Sequence, residues 1–460
     1  MGACLSTPPP VPFNPDVFNA ETDLNVLNNW REHDAKLAEK WPSDVDPKQW
    51  KGLVFDNDGR VVHIKIDRFE LTGTVPAELG NLTELQHLAL YFNNLEGDLP
   101  SRLGQLAKLE VFSVGGCKEI TSIPATMGQC KKLRELAIGH NKIAHFPPEL
   151  CALPKLKELQ LGGNEDMRLP AEFGENFPQL EYLNVADMKL KALPDGIGNC
   201  KKLKKFICAN NRIETLPAFI GNFTELEILD CGKNRITCMP AEIGNCVELQ
   251  TLNMEQNKEA EGPIPGEIGN CKRLVDFNIS HCSFDGELPP GLGNCKSLQK
   301  MQLYGTQVTG VFPEEFAKLE KLTMVDIRKT KLKFKEGLPT WIGKWTKLQE
   351  FYAEYVPIKS LPPSIGDLAQ LKEFHLTKCD LEVVPKEFGK LSSLVNFMCF
   401  GNRLSDDNPI PAEFGKLGSL KNLEIRGNWD KTLTKLPEEI GHLTANKCNV
   451  QIDDFMVIQE

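Results

Sequence analysis

Residues 76–100 read PAELGNLTELQHLALYFNNLEGDLP, and the spacing inside this stretch decides the fold. Leu85, Leu88, Leu90, Asn93 and Leu95 stand at offsets 0, 3, 5, 8 and 10, and Leu99-Pro100 opens the next round. The same spacing recurs from first-position residues Val61, Leu85, Leu109, Leu133, Leu156, Leu180, Leu203, Leu226, Leu249, Leu274, Leu298, Leu322, Leu348, Leu371, Leu394 and Leu420. That makes sixteen units with steps of 23 to 26 residues. A period in this range marks a solenoid. In L-x-x-L-x-L the inner leucines alternate, so a short strand turns them to one side and leaves the other to solvent. The Asn at offset 8 turns the chain, and its amide can bond the backbone of the adjacent coil. The segment P-x-x-[IFL]-G-x-[LC]-x-x-L returns along the far side. One unit cannot bury its own leucines, so stability comes from stacking on neighbours. Strands about 4.8 Å apart would give an inner sheet roughly 70 Å long.

These motifs resemble the leucine-rich repeat family, across the whole span from Val61 to Leu443. The resemblance implies a parallel sheet on a concave face and a protein ligand bound there. Two kinds of unit are present. LTGTVP at 71–76, LEGDLP at 95–100 and FDGELP at 284–289 resemble plant-type repeats. IETLP at 213–217 resembles the shorter Ras-suppressor-like type. Extra segments, KFKEGLP at 333–339, SDDNPIP at 405–411 and WDKTLTKLP at 429–437, map to one edge.

The reading divides the chain into residues 1–20, residues 21–60 as an N-terminal cap, the solenoid at 61–443 and a C-terminal cap at 444–460. Residues 21–50 suit a helix from about Thr22-Asp23, with Trp30, Trp41 and Trp50 placed to cover the first coil. This segment resembles the helical cap of plant-type repeat proteins, without the cysteine pairs such caps carry. The first 20 residues match M-G-x-x-x-[ST] with Gly2 and Ser6, the N-myristoylation pattern, and Cys4 lies beside it as a second acylation candidate. One acyl chain holds a membrane only marginally, so the pair matters. The expected placement is cytoplasmic, peripheral on the inner face of the plasma membrane or another membrane.

Composition narrows the chemistry. A net charge of −10 argues against a general nucleic-acid binder, which carries a basic stripe. Of the 15 cysteines, Cys130, Cys200, Cys246, Cys271 and Cys295 fill the [LC] slot. Cys117, Cys282 and Cys379 replace the turn Asn, and Cys208, Cys231 and Cys399 replace an inner leucine. Those are inward positions, suited to small buried hydrophobes in a reduced protein. No H-E-x-x-H, G-x-S-x-G or dinucleotide loop occurs, so no catalytic residue, cofactor or metal is expected.

The informative slots are offsets 2, 4, 6 and 7, read as the solvent side of each strand. All five tyrosines of the chain fall there: Tyr91, Tyr182, Tyr304, Tyr352 and Tyr355. So do His63, His87, His140, His281 and His375, while none of the six Trp does. Tyr and His present an apolar body with a polar tip, which suits a protein-binding face. Strand propensity of Tyr explains part of this enrichment. Two clusters emerge: Tyr91 and Phe92 near the N-terminal end, and Tyr304, Tyr352, Tyr355, His375, Met398 and Phe400 over units 11 to 15. Charges on these slots nearly balance, nine Lys/Arg against twelve Asp/Glu. The expected function is a non-enzymatic scaffold tethered to a membrane, binding a protein on a continuous aromatic and apolar surface. Regulation of a small GTPase follows by analogy alone. The alternatives are an extracellular plant-type recognition protein, with sequons at Asn81, Asn222 and Asn278, and a targeting subunit of a separate enzyme.

Overall fold

The computed structural model describes residues 18–428, 433–445 and 447–458. Gly2, Cys4 and residues 429–432 therefore lie outside the described residues. The chain divides into two compact units, Met1–Leu180 and Glu181–Glu460. Each is a solenoid of stacked coils.

One coil shows how the sequence is used. Leu249, Leu252 and Met254, at offsets 0, 3 and 5, are fully buried. Thr251–Asn253 forms the strand and pairs in parallel with Ile228–Asp230 and Asp276–Asn278. Asn257, at offset 8, is also fully buried. Its Nδ2 donates to Cys231 O at 3.1 Å and Met254 O at 2.7 Å, and its Oδ1 accepts from Ile236 N at 2.9 Å. One side chain thus satisfies the backbone of two coils, which a buried turn requires. Where cysteine takes this slot, the thiol donates to the corresponding carbonyl: Cys282 Sγ to Met254 O at 3.1 Å and Cys117 Sγ to Leu90 O at 3.6 Å. The return side is a five-residue 3₁₀ turn such as Gly266–Asn270. Its glycine is a packing requirement, because a Cβ on Gly269 would sit 2.2 Å from Gly291 O of the next coil.

In the first unit the sheet runs from Val61–Lys65 through His87–Ala89, Val111–Ser113 and Glu135–Ala137 to Glu158–Gln160. Leu53–Phe55 pairs antiparallel with the first of these. The plant-type segments at 71–76 and 95–100, with the following segment, build a further parallel sheet, Thr72–Gly73, Asn94–Asp98 and Glu119–Ser122. In the second unit eleven parallel strands run from Tyr182–Asn184 to Asn422–Glu424.

Three local expectations change. The strand is shorter than read: it covers offsets 2 to 4, and offset 7 lies beyond it with positive φ in every coil, including Phe92 (φ 55), Lys329 (φ 55), Tyr355 (φ 61) and Lys378 (φ 55). This left-handed residue makes the bend that brings the Asn at offset 8 inward. The helix expected over 21–50 is two helices, Ala20–His33 and Ala35–Lys40, followed by a 3₁₀ turn at Pro47–Gln49. Asp34 causes the break. Its Oδ1 accepts from Leu37 N at 2.8 Å and its Oδ2 from Thr72 N at 2.9 Å, so it starts the second helix and ties it to the first coil. At the other end, residues past 443 do not only cap. Asn449–Gln451 adds a parallel strand to Asn422–Glu424, and the last return segment is an α-helix, Glu439–Ala445.

The N-terminal helices are tied to the first coil. Trp30, Trp41 and Trp50 are buried, with Trp41 and Trp50 stacked at 5.4 Å between centroids. Asp23, fully buried, holds Arg60 Nε at 2.9 Å and accepts from Val61 N at 2.9 Å. Asp34→Ala should lower stability by about 2 kcal/mol, because two N–H groups lose their acceptor in a covered site. Asp34→Asn should lose less. Urea unfolding of both variants checks this.

Candidate functional site

The solvent rows of the second unit carry the feature that composition hid. Strand register sets Asp326, Tyr352, His375 and Met398 side by side on consecutive coils. Beyond the strand ends, offsets 6 and 7 carry Tyr304, then Arg328 and Lys329, then Tyr355, then Lys378, then Phe400, then Arg426. Rings and cations alternate. Arg328 Cζ lies 4.9 Å from the Tyr304 centroid and 5.0 Å from that of Tyr352. Lys329 Nζ lies 5.5 Å from Tyr304 and 6.0 Å from Tyr355. Lys378 Nζ lies 5.0 Å from Tyr355, donates to its hydroxyl at 3.0 Å, and lies 5.7 Å from Phe400. Arg426 continues the series 5.8 Å from Phe400. Two histidines meet rings of this face edge-on, His281 on Tyr304 at 4.5 Å and His375 on Tyr352 at 4.9 Å.

The expected continuous aromatic and apolar surface is therefore an interleaved one. The reason is geometric: rings on successive coils compete for one spacing, and a cation between two π faces gains from both. Tyr355 remains exposed at 46%, whereas Tyr352 is half-buried. Burial, with Glu350 and Glu373 nearby, raises the Tyr352 phenol above its usual value, so it stays neutral and donates to Glu350 Oε2 at 3.1 Å. A hydrogen bond with Tyr304 raises Lys329, which stays charged. Tyr182 belongs to a separate place in this unit, under Lys205 Nζ at 4.8 Å.

The first unit holds the other cluster. Tyr91 and Phe92 meet edge-on at 4.2 Å, and Arg68 Cζ covers Phe92 at 4.6 Å. Gly115 and Gly116 of the next coil let these rings lie down, since a Cβ on either would come within 2.5 Å of a ring carbon. His63 and His87 pair on adjacent strands at 5.6 Å. Burial first, then Lys65 and His63, push His87 down to about 4. The unfolded chain binds this proton more tightly, so stability should fall as pH is lowered from 6.5 towards 4. His87→Gln should flatten that slope, as read by thermal unfolding across this pH range.

The signal that sequence reasoning missed was available. Arg328, Lys329, Lys378 and Arg426 occupy the same slots as the tyrosines, but counting charge over all coils averaged them away. The fourteen described cysteines are thiols. Burial pushes Cys130 and Cys271 up to about 11, and Cys200, Cys246 and Cys295 up to about 12, which makes them poor nucleophiles. Among the described residues no group of three or more His, Cys, Asp or Glu is placed to hold a metal, and no helix is long and apolar enough to cross a membrane.

Known proteins share this architecture. The Leucine Rich Repeat model matches residues 273–295. A probable leucine-rich repeat receptor-like protein kinase of Arabidopsis thaliana is 35% identical over 78 residues, which span 16% of this chain and 8% of that protein. The solved plant peptide hormone receptor RGFR1, in complex with RGF2, is 30% identical, with 88% of this chain and 67% of that one covered at a TM-score of 0.77. A leucine-rich repeat protein of Leptospira interrogans is 27% identical over 83% of this chain and 92% of its own, at a TM-score of 0.68. With sixteen in-register coils, the inward Asn ladder and these likenesses together, the chain belongs to the leucine-rich repeat family.

Proposed function

We propose that this chain is a non-enzymatic recognition module that captures an extended peptide or protein segment on the sheet face of its second unit. The row of rings and cations from Tyr304 to Arg426 carries this reading. It offers large apolar area already held in place, so little ordering entropy opposes binding. The likeness to a receptor solved with the peptide RGF2 supports the same reading. The test is loss of partner capture in the Tyr352→Ala, Tyr355→Ala double variant with the fold retained.

Placement has two supports that point apart. The plant receptor likeness favours an extracellular module, with glycans on Asn81 or Asn222. The thiol state of the described cysteines favours the second reading, a scaffold on the cytosolic face of a membrane held by acyl chains on Gly2 and Cys4. Intact mass of the native protein separates them. An acyl adduct lost in Gly2→Ala supports the tether, and N-glycan masses support the extracellular module.

A further inference from the structure

The face of coils eleven to sixteen is electrically split along its length. Offsets 2 and 4 carry Asp326, Glu350, Glu373 and Glu424 against one cation, Lys300. Offsets 6 and 7 carry Arg328, Lys329, Lys378 and Arg426 against one carboxylate, Glu354. Tyr352 stands on the acidic side of this boundary and Tyr355 on the basic side.

Two pairs close across the boundary, Arg328–Asp326 at 2.6 Å and Arg426–Glu424 at 2.7 Å. The remaining charge is not spent this way. Among the described residues neither Lys329 nor Lys378 is ion-paired with a carboxylate, and both lie on the ring of Tyr355. Among the described residues, Glu350 and Glu373 form no ion pair with a Lys or Arg. They accept instead from the Tyr352 hydroxyl, from His375 at 3.2 Å and from Asn396 at 2.6 Å.

We propose that the partner is an extended peptide with alternating charges, lying along the stacking direction. Its acidic side chains face Lys329 and Lys378, and its basic side chains face Glu350 and Glu373. The proposal rests on the peptide-binding reading above and adds the chemistry of the ligand. An extended chain sends successive side chains to opposite sides, with same-side neighbours roughly 7 Å apart. Lys329 and Lys378 are two coils apart, roughly 10 Å at about 4.8 Å per strand, so two acidic side chains on one edge can reach both. A uniformly acidic ligand would set its charge against Glu350 and Glu373, and like-charge juxtaposition is costly.

Random peptides displayed on phage and panned on the whole chain test this. Binding of the enriched peptides is then measured by fluorescence anisotropy on three double variants: Lys329→Glu with Lys378→Glu, Glu350→Lys with Glu373→Lys, and Tyr352→Ala with Tyr355→Ala. Thermal melts establish that each is folded. We expect alternating acidic and basic positions, and a loss of roughly tenfold or more for either charge reversal. Exchanging the peptide's acidic positions for lysine should restore binding to the Lys329→Glu, Lys378→Glu variant. Enriched peptides that are uniformly acidic or apolar, yet depend on Tyr352 and Tyr355, overturn the charge pattern and leave the face as the binding site. Peptides indifferent to all three variants, or no enrichment at all, overturn both readings.

Discussion

Tyr352→Ala combined with Tyr355→Ala should weaken partner capture by roughly thirtyfold or more, while the chain remains folded. Aromatic anchors at the centre of an interface commonly lose about 2 kcal/mol or more on truncation, which is that factor in affinity. Tyr352 is held by Glu350, Arg328 and His375, and Tyr355 by Lys329 and Lys378, so both rings are positioned before a partner arrives. Rigid aromatic side chains lose little entropy on binding. The fold should lose about 1.5–3 kcal/mol, since three exposed cation–π contacts are lost, each worth about 0.5–1 kcal/mol. The leucine core is untouched by either change. Alanine at 355 also keeps an L-residue at φ 61, so it neither adds nor relieves backbone strain there. Binding measured beside a thermal melt separates the two effects. Undiminished capture would move the site elsewhere, with the segments at 333–339 and 405–411 as the next places to alter. A melt lowered far beyond this estimate would make the tyrosines structural.

Gly269→Val should destabilise the protein by about 3 kcal/mol or more. A Cβ there would stand 2.2 Å from Gly291 O, 2.6 Å from its carbonyl carbon and 2.9 Å from its Cα. All three atoms are backbone, so no side chain can swing away, and the neighbouring coil must move. Overpacking of a filled interior costs about 1–3 kcal/mol and more where the backbone shifts. In a solenoid the displaced coil is also the neighbour on which the next one stacks, so the cost spreads. Gly418→Ala is the control, because a Cβ there meets nothing within 4 Å. It should be neutral or slightly stabilising. Comparable unfolding midpoints for the two variants in urea would mean that the coils are spaced more loosely than this packing implies.

What the sequence determined by itself was everything that repeats. The leucines at offsets 0, 3 and 5, the Asn at offset 8 where it occurs and the cysteines in inward slots all follow from one local pattern repeated along the chain. A rule repeated that often is legible from one dimension, because each coil's environment is set by copies of itself. The buried tryptophans of the cap were legible for a related reason, since an exposed first coil demands an apolar cover. The tertiary structure alone decided what depends on partners in other coils. Asp34 breaks the cap helix because Thr72, 38 residues away, offers it a second N–H. Asn449–Gln451 becomes a strand without the leucine pattern because the edge at Asn422–Glu424 supplies backbone partners. Offset 7 read as strand, yet stacking makes it a left-handed bend in every coil. The binding face is the clearest case. Tyr304, Arg328, Tyr352 and His375 stand more than twenty residues apart in sequence, and only the register of the stacked strands sets ring beside cation. Composition could count those charges but not arrange them, since the energy of a cation over a ring depends on a distance of about 6 Å that no local pattern encodes.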